Sequence, residues 1–299
     1  MSNALSVRGL TKSYRGRRVL DGLTFEVPEG AIALYLGPNG AGKTTTFRLL
    51  SGLEAPDAGE IHVFERPWDP RVRRFLGVTL EEPRFYPWLT GLENVEIAFR
   101  YRRVKNPARA ALKALERVGL TYAARRRFRD YSLGMRQRLY LAAQLFPGVR
   151  LLLLDEPTNG LDVEGREEVW STLQALTRQG VSLFVSTHQV LEAERFAEYL
   201  VVLHKGRVAY QGTYRDLAKR RRFVLRVDDV AEALAALRAA GFEAFLGRRP
   251  GELYVENTAG KVDRLLACLT EAGVQVLDQR FEDLEELYWR IKDGLERAA

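Results

Sequence analysis

The sequence is poor in cysteine and histidine, and it lacks any long hydrophobic run. Its single cysteine, Cys268, has no second cysteine for an internal disulfide, which excludes a secreted scaffold held together by disulfide bonds. No apolar stretch approaches the roughly 18 residues of a membrane-spanning helix, and the N-terminal residues lack the apolar segment of a signal peptide. We therefore expect a folded protein that stays in the cytoplasm.

The composition is that of an ordinary globular protein. Apolar residues make up 46% of the 299 residues and charged residues 28%, which excludes wholesale disorder, and the length favours two domains. The formal net charge is +7, with arginines clustered at residues 124–130 and 219–223. Such clusters permit an anionic partner, nucleic acid or a lipid surface, although a solvated basic face is their commoner explanation.

The apolar pattern changes twice along the first two hundred residues. Residues 4–36 alternate apolar and polar positions in short pieces, which predicts strands with a turn at Asp21-Gly22. From residue 77 to 148 helical spacing replaces this pattern and indicates a helical insertion. The later runs "RLLLLDEP" and "VSLFVSTH" flank a helical segment, as do buried parallel strands joined by a crossover helix. We expect an α/β domain whose parallel sheet carries helices on both faces.

A new pattern begins near residue 222. Strand, helix, two strands, helix and strand follow in the order βαββαβ, which is typical of a ferredoxin-like α+β unit. A final amphipathic helix places Leu284, Leu287, Tyr288 and Ile291 on one stripe. The sequence therefore predicts a larger domain over residues 1–218, with its helical part at about 77–148, and a smaller accessory domain over residues 222–299.

The stretch "GPNGAGKTT" follows an apolar strand and opens a helix, as a phosphate-binding P-loop does. Glycines let backbone N–H groups surround a phosphate chain at a helix N-terminus, while the lysine neutralises the β- and γ-phosphates. The first threonine hydroxyl is placed to bind Mg²⁺. The predicted nucleotide-binding residues are Gly37, Pro38, Asn39, Gly40, Ala41, Gly42, Lys43, Thr44 and Thr45.

Asp155 and Glu156 end the run "LLLLDEP", and His188 ends the run "LFVSTH". The carboxyl ends of parallel strands form ligand crevices, and two buried carboxylates need a cation nearby. Asp155 is therefore predicted to hold the metal through water, and Glu156 to orient and deprotonate the attacking water. His188 is placed to contact the γ-phosphate. An acidic helix cap and a structural histidine are the alternatives; His62 and His204 are interpreted as structural.

Together with "YSLGMRQRL" and "NGLD", these motifs resemble an ATP-binding cassette (ABC) ATPase over residues 4–216. The resemblance implies a P-loop NTPase core with a mixed sheet, an antiparallel β part and a helical subdomain. It also implies that Tyr14 stacks on adenine, that Asp162 belongs to the D-loop and that His188 is the switch histidine. Glu81 occupies the position of the family's glutamine. It can offer an oxygen to Mg²⁺, but when ionised it donates no hydrogen bond.

The family signature, Leu-Ser-Gly-Gly-Gln, reads Tyr131-Ser132-Leu133-Gly134-Met135 here. Ser132 can donate to a γ-phosphate, and Gly134 lets backbone N–H groups approach it. In the family, this segment closes over ATP held by a second subunit. The resemblance therefore implies a head-to-tail dimer, with homodimerisation favoured, in which one chain supplies both faces of each site.

The resemblance implies a transporter subunit with separate integral membrane permease subunits, located on the cytoplasmic face of the cell membrane. The aromatic stretch "LEEPRFYPWLTGLENV" lies where permeases of this family insert a coupling helix, although helix-entry packing with Thr90 or Asn94 as a cap also explains it. The C-terminal unit resembles the extension of ATPases that serve ABC-2 type exporters. ATP-driven dimer closure that powers export is the favoured function, and a unit that merely dimerises is the alternative for the C-terminal part.

Two other functions compete with transport. A soluble ABC ATPase acting on nucleic acid or the ribosome would use the arginine clusters, but such relatives usually carry two cassettes or a long coiled-coil insertion. A P-loop kinase leaves "YSLGM", "NGLD" and "STH" unexplained. The transporter hypothesis is therefore preferred, and it carries no expected nucleic-acid partner.

Overall fold

The computed structural model divides the chain into two compact units, Met1–Gly212 and Thr213–Ala299. The structure describes residues 2–80, 85–189, 192, 195–256, 258, 260–283 and 285–291. None of the helices in these ranges combines the length and the apolar character that crossing a membrane requires.

The described part of the first unit contains strands, α-helices and three 3-10 helices, the last at Pro70–Phe75, Thr121–Ala123 and Phe128–Asp130. The strands are β1 (Asn3–Tyr14), β2 (Arg17–Pro28), β3 (Ile32–Leu36), β4 (Ala58–Val63), β5 (Arg66–Pro67), β6 (Leu76–Thr79), β7 (Leu151–Asp155), β8 (Ser182–Thr187), β9 (Tyr199–His204) and β10 (Arg207–Thr213). The α-helices are α1 (Lys43–Leu50), α2 (Gly91–Tyr101), α3 (Pro107–Arg117), α4 (Leu133–Gln144) and α5 (Val163–Arg178).

Two sheets form this unit. The six-stranded sheet has the order β10-β9-β3-β8-β7-β6, and the pairs from β9 to β6 are parallel, which confirms the predicted parallel sheet. The other sheet is antiparallel, in the order β2-β1-β4-β5. The carboxyl ends of β3, β8 and β7, which are neighbours in the parallel sheet, precede the phosphate-loop, histidine and acidic motifs respectively.

Aromatic packing joins the two sheets to α1. Phe25 of β2, Tyr35 of β3, Phe47 of α1 and Phe184 of β8 are completely buried, with neighbouring ring centroids 5.1–6.1 Å apart. Rings at such separations gain dispersion and quadrupole attraction in addition to the burial of their apolar surface. The cluster therefore fixes α1, and with it the phosphate loop, against the ends of the parallel strands.

Two expectations from the sequence need correction. Asp21-Gly22 is not a turn, because β2 runs through it: Leu20 pairs with Lys12 and Leu23 with Leu10, so two residues of β2 oppose one of β1 in a β-bulge. The helical segment also starts later than residue 77. Strand β6 pairs with β7 in the parallel sheet, and a run of four residues is too short for periodicity to separate strand from helix.

The second unit is an antiparallel sheet covered by two helices. Its elements are α6 (Tyr214–Ala218), β11 (Phe223–Val227), α7 (Val230–Ala239), β12 (Ala244–Leu246), β13 (Glu252–Val255), α8 (Val262–Glu271) and β14 (Val276–Phe281). The sheet order is β12-β13-β11-β14, and the predicted βαββαβ order is confirmed.

Apolar side chains of α7 and α8 pack on this second sheet. Leu237 and Leu265 are completely buried in its core, and Cys268 donates its thiol to the Ala236 carbonyl oxygen at 3.3 Å, which ties α8 to α7. Residues 285–291 are helical, with Leu287 buried. Leu284, also assigned to the apolar stripe, lies outside the described residues.

Candidate nucleotide site

The phosphate loop lies between β3 and α1, where the backbone leaves little space. Gly42 has a φ of 109°, and a Cβ atom on it would lie 2.6 Å from Leu20 Cδ2. A Cβ atom on Gly37 would lie 2.9 Å from the Leu203 carbonyl oxygen. These two positions require glycine because of the left-handed backbone and the close approach respectively. In this loop Pro38, Asn39 and Gly40 are exposed, Ala41 is buried, and Thr45 is half-buried.

Lys43, the first residue of α1, is 6% exposed. Its ammonium group donates to the Gly37 carbonyl oxygen at 2.8 Å and to the Pro38 carbonyl oxygen at 3.4 Å. It also lies 3.3 Å from Glu156 Oε1. The positive charge is therefore held within the loop, on the side that faces the acidic end of β7. A cation held there is placed to neutralise phosphate oxygens cradled by the loop.

Asp155 is held by hydroxyl groups from two neighbouring elements. Thr44 Oγ1 donates to Asp155 Oδ2 at 2.8 Å, and Ser186 Oγ donates to Asp155 Oδ1. In the described part of the chain, no group of three or more His, Cys, Asp or Glu is placed to hold a metal ion. A hydroxyl beside a single carboxylate is a hard oxygen donor set, which suits Mg²⁺ completed by phosphates and water.

Glu156 contacts both the lysine and the histidine. One carboxylate oxygen lies near Lys43, and the other lies 3.1 Å from His188 Nδ1. Its backbone N–H donates to the Ser186 carbonyl and hydroxyl oxygens at 3.2 and 3.0 Å, and its φ of 46° is left-handed. Both side chains remain partly exposed, 23% for Glu156 and 39% for His188, so a water molecule and a phosphate can reach them. The geometry suits a general base next to a phosphate sensor.

Tyr14, the last residue of β1, lies beside α1 and the segment that follows this helix. Its hydroxyl donates to Glu54, whose other oxygen lies 3.4 Å from Arg48 Nε, and Lys12 Nζ lies 5.5 Å from the ring centroid. Burial and the Glu54 hydrogen bond raise the pKa of Tyr14 above its usual value. The hydroxyl therefore stays protonated near neutral pH, and the ring, 39% exposed, presents a face to solvent.

The signature segment begins α4 and lies beside the start of α5. Ser132 is the N-cap of α4, and its Oγ accepts from Met135 N at 3.2 Å. Asp162 is the N-cap of α5 and accepts from Gly165 N at 2.8 Å. Between them is a cavity of about 430 Å³, and the described residues that line it are 132–134, 160–162, 164, 165 and 168. Within one chain, the cavity at the signature is thus built by signature and D-loop segments, and no phosphate-loop residue lines it.

The unusual first signature residue, Tyr131, has a structural role. Its hydroxyl donates to the Ala123 carbonyl oxygen at 2.8 Å, and a Cβ atom on Gly91 would lie 2.0 Å from the Tyr131 hydroxyl oxygen. Burial raises the pKa of Tyr131 to about 12, so the hydroxyl remains a donor. Tyr131 therefore fastens the signature to the start of α2. Gly134 faces α5: a Cβ atom on Gly134 would lie 3.6 Å from the Gly165 Cα.

The structure unites most of the residues expected from the sequence. Lys43, Thr44, Asp155, Glu156 and His188 converge on one edge of the parallel sheet. Glu81 lies outside the described residues. Sequence reasoning missed Ser186, which contacts both acidic residues; a hydroxyl residue two positions before the strand-end histidine was the available signal.

The fold and this edge define a P-loop nucleotide hydrolase, and the comparisons give its family. A family model described as ABC transporter matches residues 20–159. The daunorubicin resistance ATP-binding protein DrrA3 of Streptomyces coeruleorubidus is 36% identical over 96% of this chain and 95% of its own length. The bacitracin transport ATP-binding protein BcrA of Bacillus licheniformis is 32% identical over 98% of this chain and 99% of its own.

The chain belongs to the family of ABC transporter ATP-binding proteins. It is an ATP-hydrolysing, nucleotide-binding subunit, as the sequence predicted, and the comparisons favour this function over a soluble ATPase acting on nucleic acid. The dimeric cassette MJ0796 is 27% identical, with a TM-score of 0.61 over 70% of this chain and 98% of that one. The cassette cbiO1 of Clostridium perfringens, 24% identical with a TM-score of 0.67, has the same fold.

Replacing Gly42 with alanine should destabilise the protein more than replacing Gly40. Both glycines have left-handed backbones, but only a Cβ on Gly42 meets Leu20. We expect a loss of about 1 kcal/mol for Gly40→Ala from backbone strain and roughly 2 to 4 kcal/mol for Gly42→Ala from strain plus crowding. Urea unfolding of the nucleotide-free proteins measures both losses. Equal losses would contradict the packing of Gly42 against Leu20.

Proposed function

We propose that the protein is the ATPase of an ABC-2 type exporter, in which ATP-driven closure of two head-to-tail subunits powers transport through separate permease chains. The observation that carries this proposal is the cavity at residues 132–134 and 160–168, which no phosphate-loop residue of the same chain lines. A site completed by a second subunit explains why the signature, which has no catalytic side chain, borders a cavity away from its own phosphate loop. The relatives DrrA3 and BcrA are named for daunorubicin resistance and bacitracin transport, and these names support an export role.

The phosphate loop and Tyr14 bind the nucleotide in this proposal. Backbone N–H groups of residues 39–42 and the Lys43 ammonium surround the phosphates, while the Tyr14 ring stacks on adenine. Thr44 and Asp155 would hold Mg²⁺, which when bound neutralises charge on the β- and γ-phosphates. Glu81 is proposed as a further oxygen ligand on the basis of its sequence position.

Hydrolysis is assigned to the acidic end of β7. Glu156 accepts a proton from the attacking water, and Lys43, 3.3 Å away, stabilises the charge that develops on the phosphate oxygens. His188 Nδ1 lies 3.1 Å from the other Glu156 oxygen. His188 would therefore both orient the base and contact the γ-phosphate. This arrangement gives the carboxylate a fixed direction before the nucleotide arrives.

The dimer supplies the remaining contacts. Ser132, Gly134 and Asp162 of one subunit would face the γ-phosphate held by the other, since all three border the same cavity. ATP then bridges the subunits and ADP does not, so hydrolysis changes the relative stability of closed and open dimers. The cassette MJ0796, which is 27% identical to this chain, is dimeric in its solved structures, and this supports the proposal of a dimer.

An aromatic groove beside α2 is the proposed permease contact. A cavity of about 580 Å³ is lined by Tyr86, Trp88, Leu89, Ile97, Arg100 and Tyr101. Asn94, 2% exposed, donates to the Tyr86, Leu89 and Thr90 carbonyl oxygens and accepts from Tyr86 N, which fixes the wall of the groove. Thr90 and Glu93 form a capping box that starts α2.

The groove has a basic border. Phe128 N donates to the Leu89 carbonyl oxygen at 2.8 Å and Arg129 N to the Pro87 carbonyl oxygen at 3.1 Å, so the arginine-rich run at 125–129 lies beside the aromatic loop. An apolar helix with acidic flanks, presented by a permease at the cytoplasmic membrane face, fits this combination. Through this contact the permease would hold the subunit at the membrane.

Glu156→Gln should leave ATP binding intact and nearly abolish turnover. The amide keeps the shape of the side chain but accepts no proton from water, so we expect kcat to fall by about a thousandfold or more. Phosphate release and the binding of a fluorescent ATP analogue measure the two effects, with Lys43→Ala as the control that loses binding itself. Normal turnover in Glu156→Gln would remove this residue as the base.

Ser132→Arg should prevent ATP-induced dimerisation without weakening nucleotide binding to a single chain. The arginine side chain fills the cavity that the γ-phosphate of the other subunit would enter. Size-exclusion chromatography of Glu156→Gln with and without Ser132→Arg, each in ATP, provides the comparison. An ATP-dependent dimer that survives Ser132→Arg would show that the signature does not act across subunits.

Trp88→Ala should separate permease binding from hydrolysis. Trp88 is 64% exposed and lies in the aromatic groove, so its loss should weaken copurification with the cognate permease about tenfold or more while the ATPase rate of the isolated subunit stays the same. Leu53→Ala, at a residue 65% exposed outside the groove, is the matched control. Undiminished copurification of Trp88→Ala would contradict this docking site.

A further inference from the structure

A buried carboxylate connects the two strand ends that carry the base and the switch histidine. Glu192 is 7% exposed, although most glutamates lie at the surface. Its Oε1 accepts from Thr158 Oγ1 and its Oε2 from Thr187 Oγ1, both at 2.7 Å. Thr158 and Thr187 are each 2% exposed. The contact is therefore a closed bridge of hydroxyl, carboxylate and hydroxyl.

The two threonines flank the catalytic groups. Thr158 follows Glu156 by two residues in the loop after β7, and Thr187 directly precedes His188 at the end of β8. Thr187 Oγ1 also accepts from Gln189 N at 3.0 Å, which fixes the backbone on the far side of His188. The Glu192 carboxylate consequently ties the two segments together below the catalytic side chains.

Burial makes the loss of either hydrogen bond to Glu192 costly. A carboxylate without partners in such a place would be costly, and hydroxyl donors to a charged oxygen form short and strong hydrogen bonds. Each threonine hydroxyl has its proton committed to Glu192, so neither segment can shift without losing a bond to a buried charge. Two sets of hydrogen bonds therefore hold the Glu156 Oε2 to His188 Nδ1 distance at 3.1 Å. Ser186 binds the Glu156 backbone, and Glu192 joins the segments that follow Glu156 and precede His188.

We propose that Glu192 is a positioning residue that holds the Glu156 and His188 segments at their working separation. This inference rests on the proposed roles of those two residues. Glu192 touches neither nucleotide nor water in the reaction; it acts through Thr158 and Thr187. Its removal should lower kcat and leave ATP affinity unchanged, because Lys43 and Tyr14 are held by other groups, the Gly37 carbonyl oxygen and Glu54.

Isosteric changes of the threonines test the bridge with little risk to folding. Thr158→Val and Thr187→Val keep the side-chain shape and remove one hydroxyl each. We expect each to lower kcat several-fold and Glu192→Ala by about 10- to 100-fold, because a misplacement of about 1 Å at a reacting group has an effect of that order. Thr158→Val should add little once Glu192 is alanine, since the bond is already lost. Glu192→Gln, which accepts one hydroxyl and donates to the other threonine oxygen, should recover most of the rate.

A control and a separate assay keep the outcomes distinct. Thr177→Val removes a hydroxyl that bonds within α5, to the Leu173 carbonyl oxygen at 3.2 Å, and should leave kcat unchanged. The inference is overturned if the bridge variants lower the melting temperature while kcat, measured well below it, equals that of Thr177→Val. Fully additive effects of Thr158→Val and Glu192→Ala would also overturn it. Normal turnover in Glu156→Gln would instead refute the proposed base, whatever the bridge variants do.

Discussion

The nucleotide site depends on one buried positive charge. Lys43 is 6% exposed, and an ammonium group in such a place is stable only because carbonyl and carboxylate oxygens surround it. The parallel sheet supplies this arrangement, because β3, β8 and β7 are hydrogen-bonded neighbours whose carboxyl ends share one edge. Thr44 and Asp155, 111 residues apart in the chain, meet there at 2.8 Å. A shift of one strand would move these oxygens away from Lys43, and the buried ammonium group would then lack partners and destabilise the fold.

Much of this centre could be predicted from the sequence because its chemistry is local or follows from strand ends. The phosphate loop is contiguous, so its glycines, Lys43 and Thr44 are recognisable without knowledge of the fold. Asp155, Glu156 and His188 end two apolar runs, and parallel strands bring such ends together. The ferredoxin-like order of the second unit is predictable because α7 and α8, ten residues each, have a clear helical pattern and separate the shorter strands.

The parts that were missed depend on tertiary partners. The bulge at Asp21-Gly22 arises from the register of β2 against β1, and a Gly after an Asp looks the same in a turn. Strand β6 is defined by its pairing with β7 and has no strong pattern of its own. The polar supports belong to the same class: Glu192 bonds to residues 34 and 5 positions away, and such partners have no spacing that marks them in a sequence. Side chains that hold the proposed catalytic groups in place are therefore harder to predict from a sequence than those groups themselves.

The backbone of Glu156, the proposed base, is strained. Its φ of 46° puts a glutamate in a conformation that glycine adopts freely and that costs other residues about 1 to 2 kcal/mol. Selection for thermal resistance alone would favour glycine at this position, where the strain would vanish together with the carboxylate. Substitutions meant to raise the thermal stability of this ATPase are therefore better placed in the second unit and the surface helices than in the loop after β7.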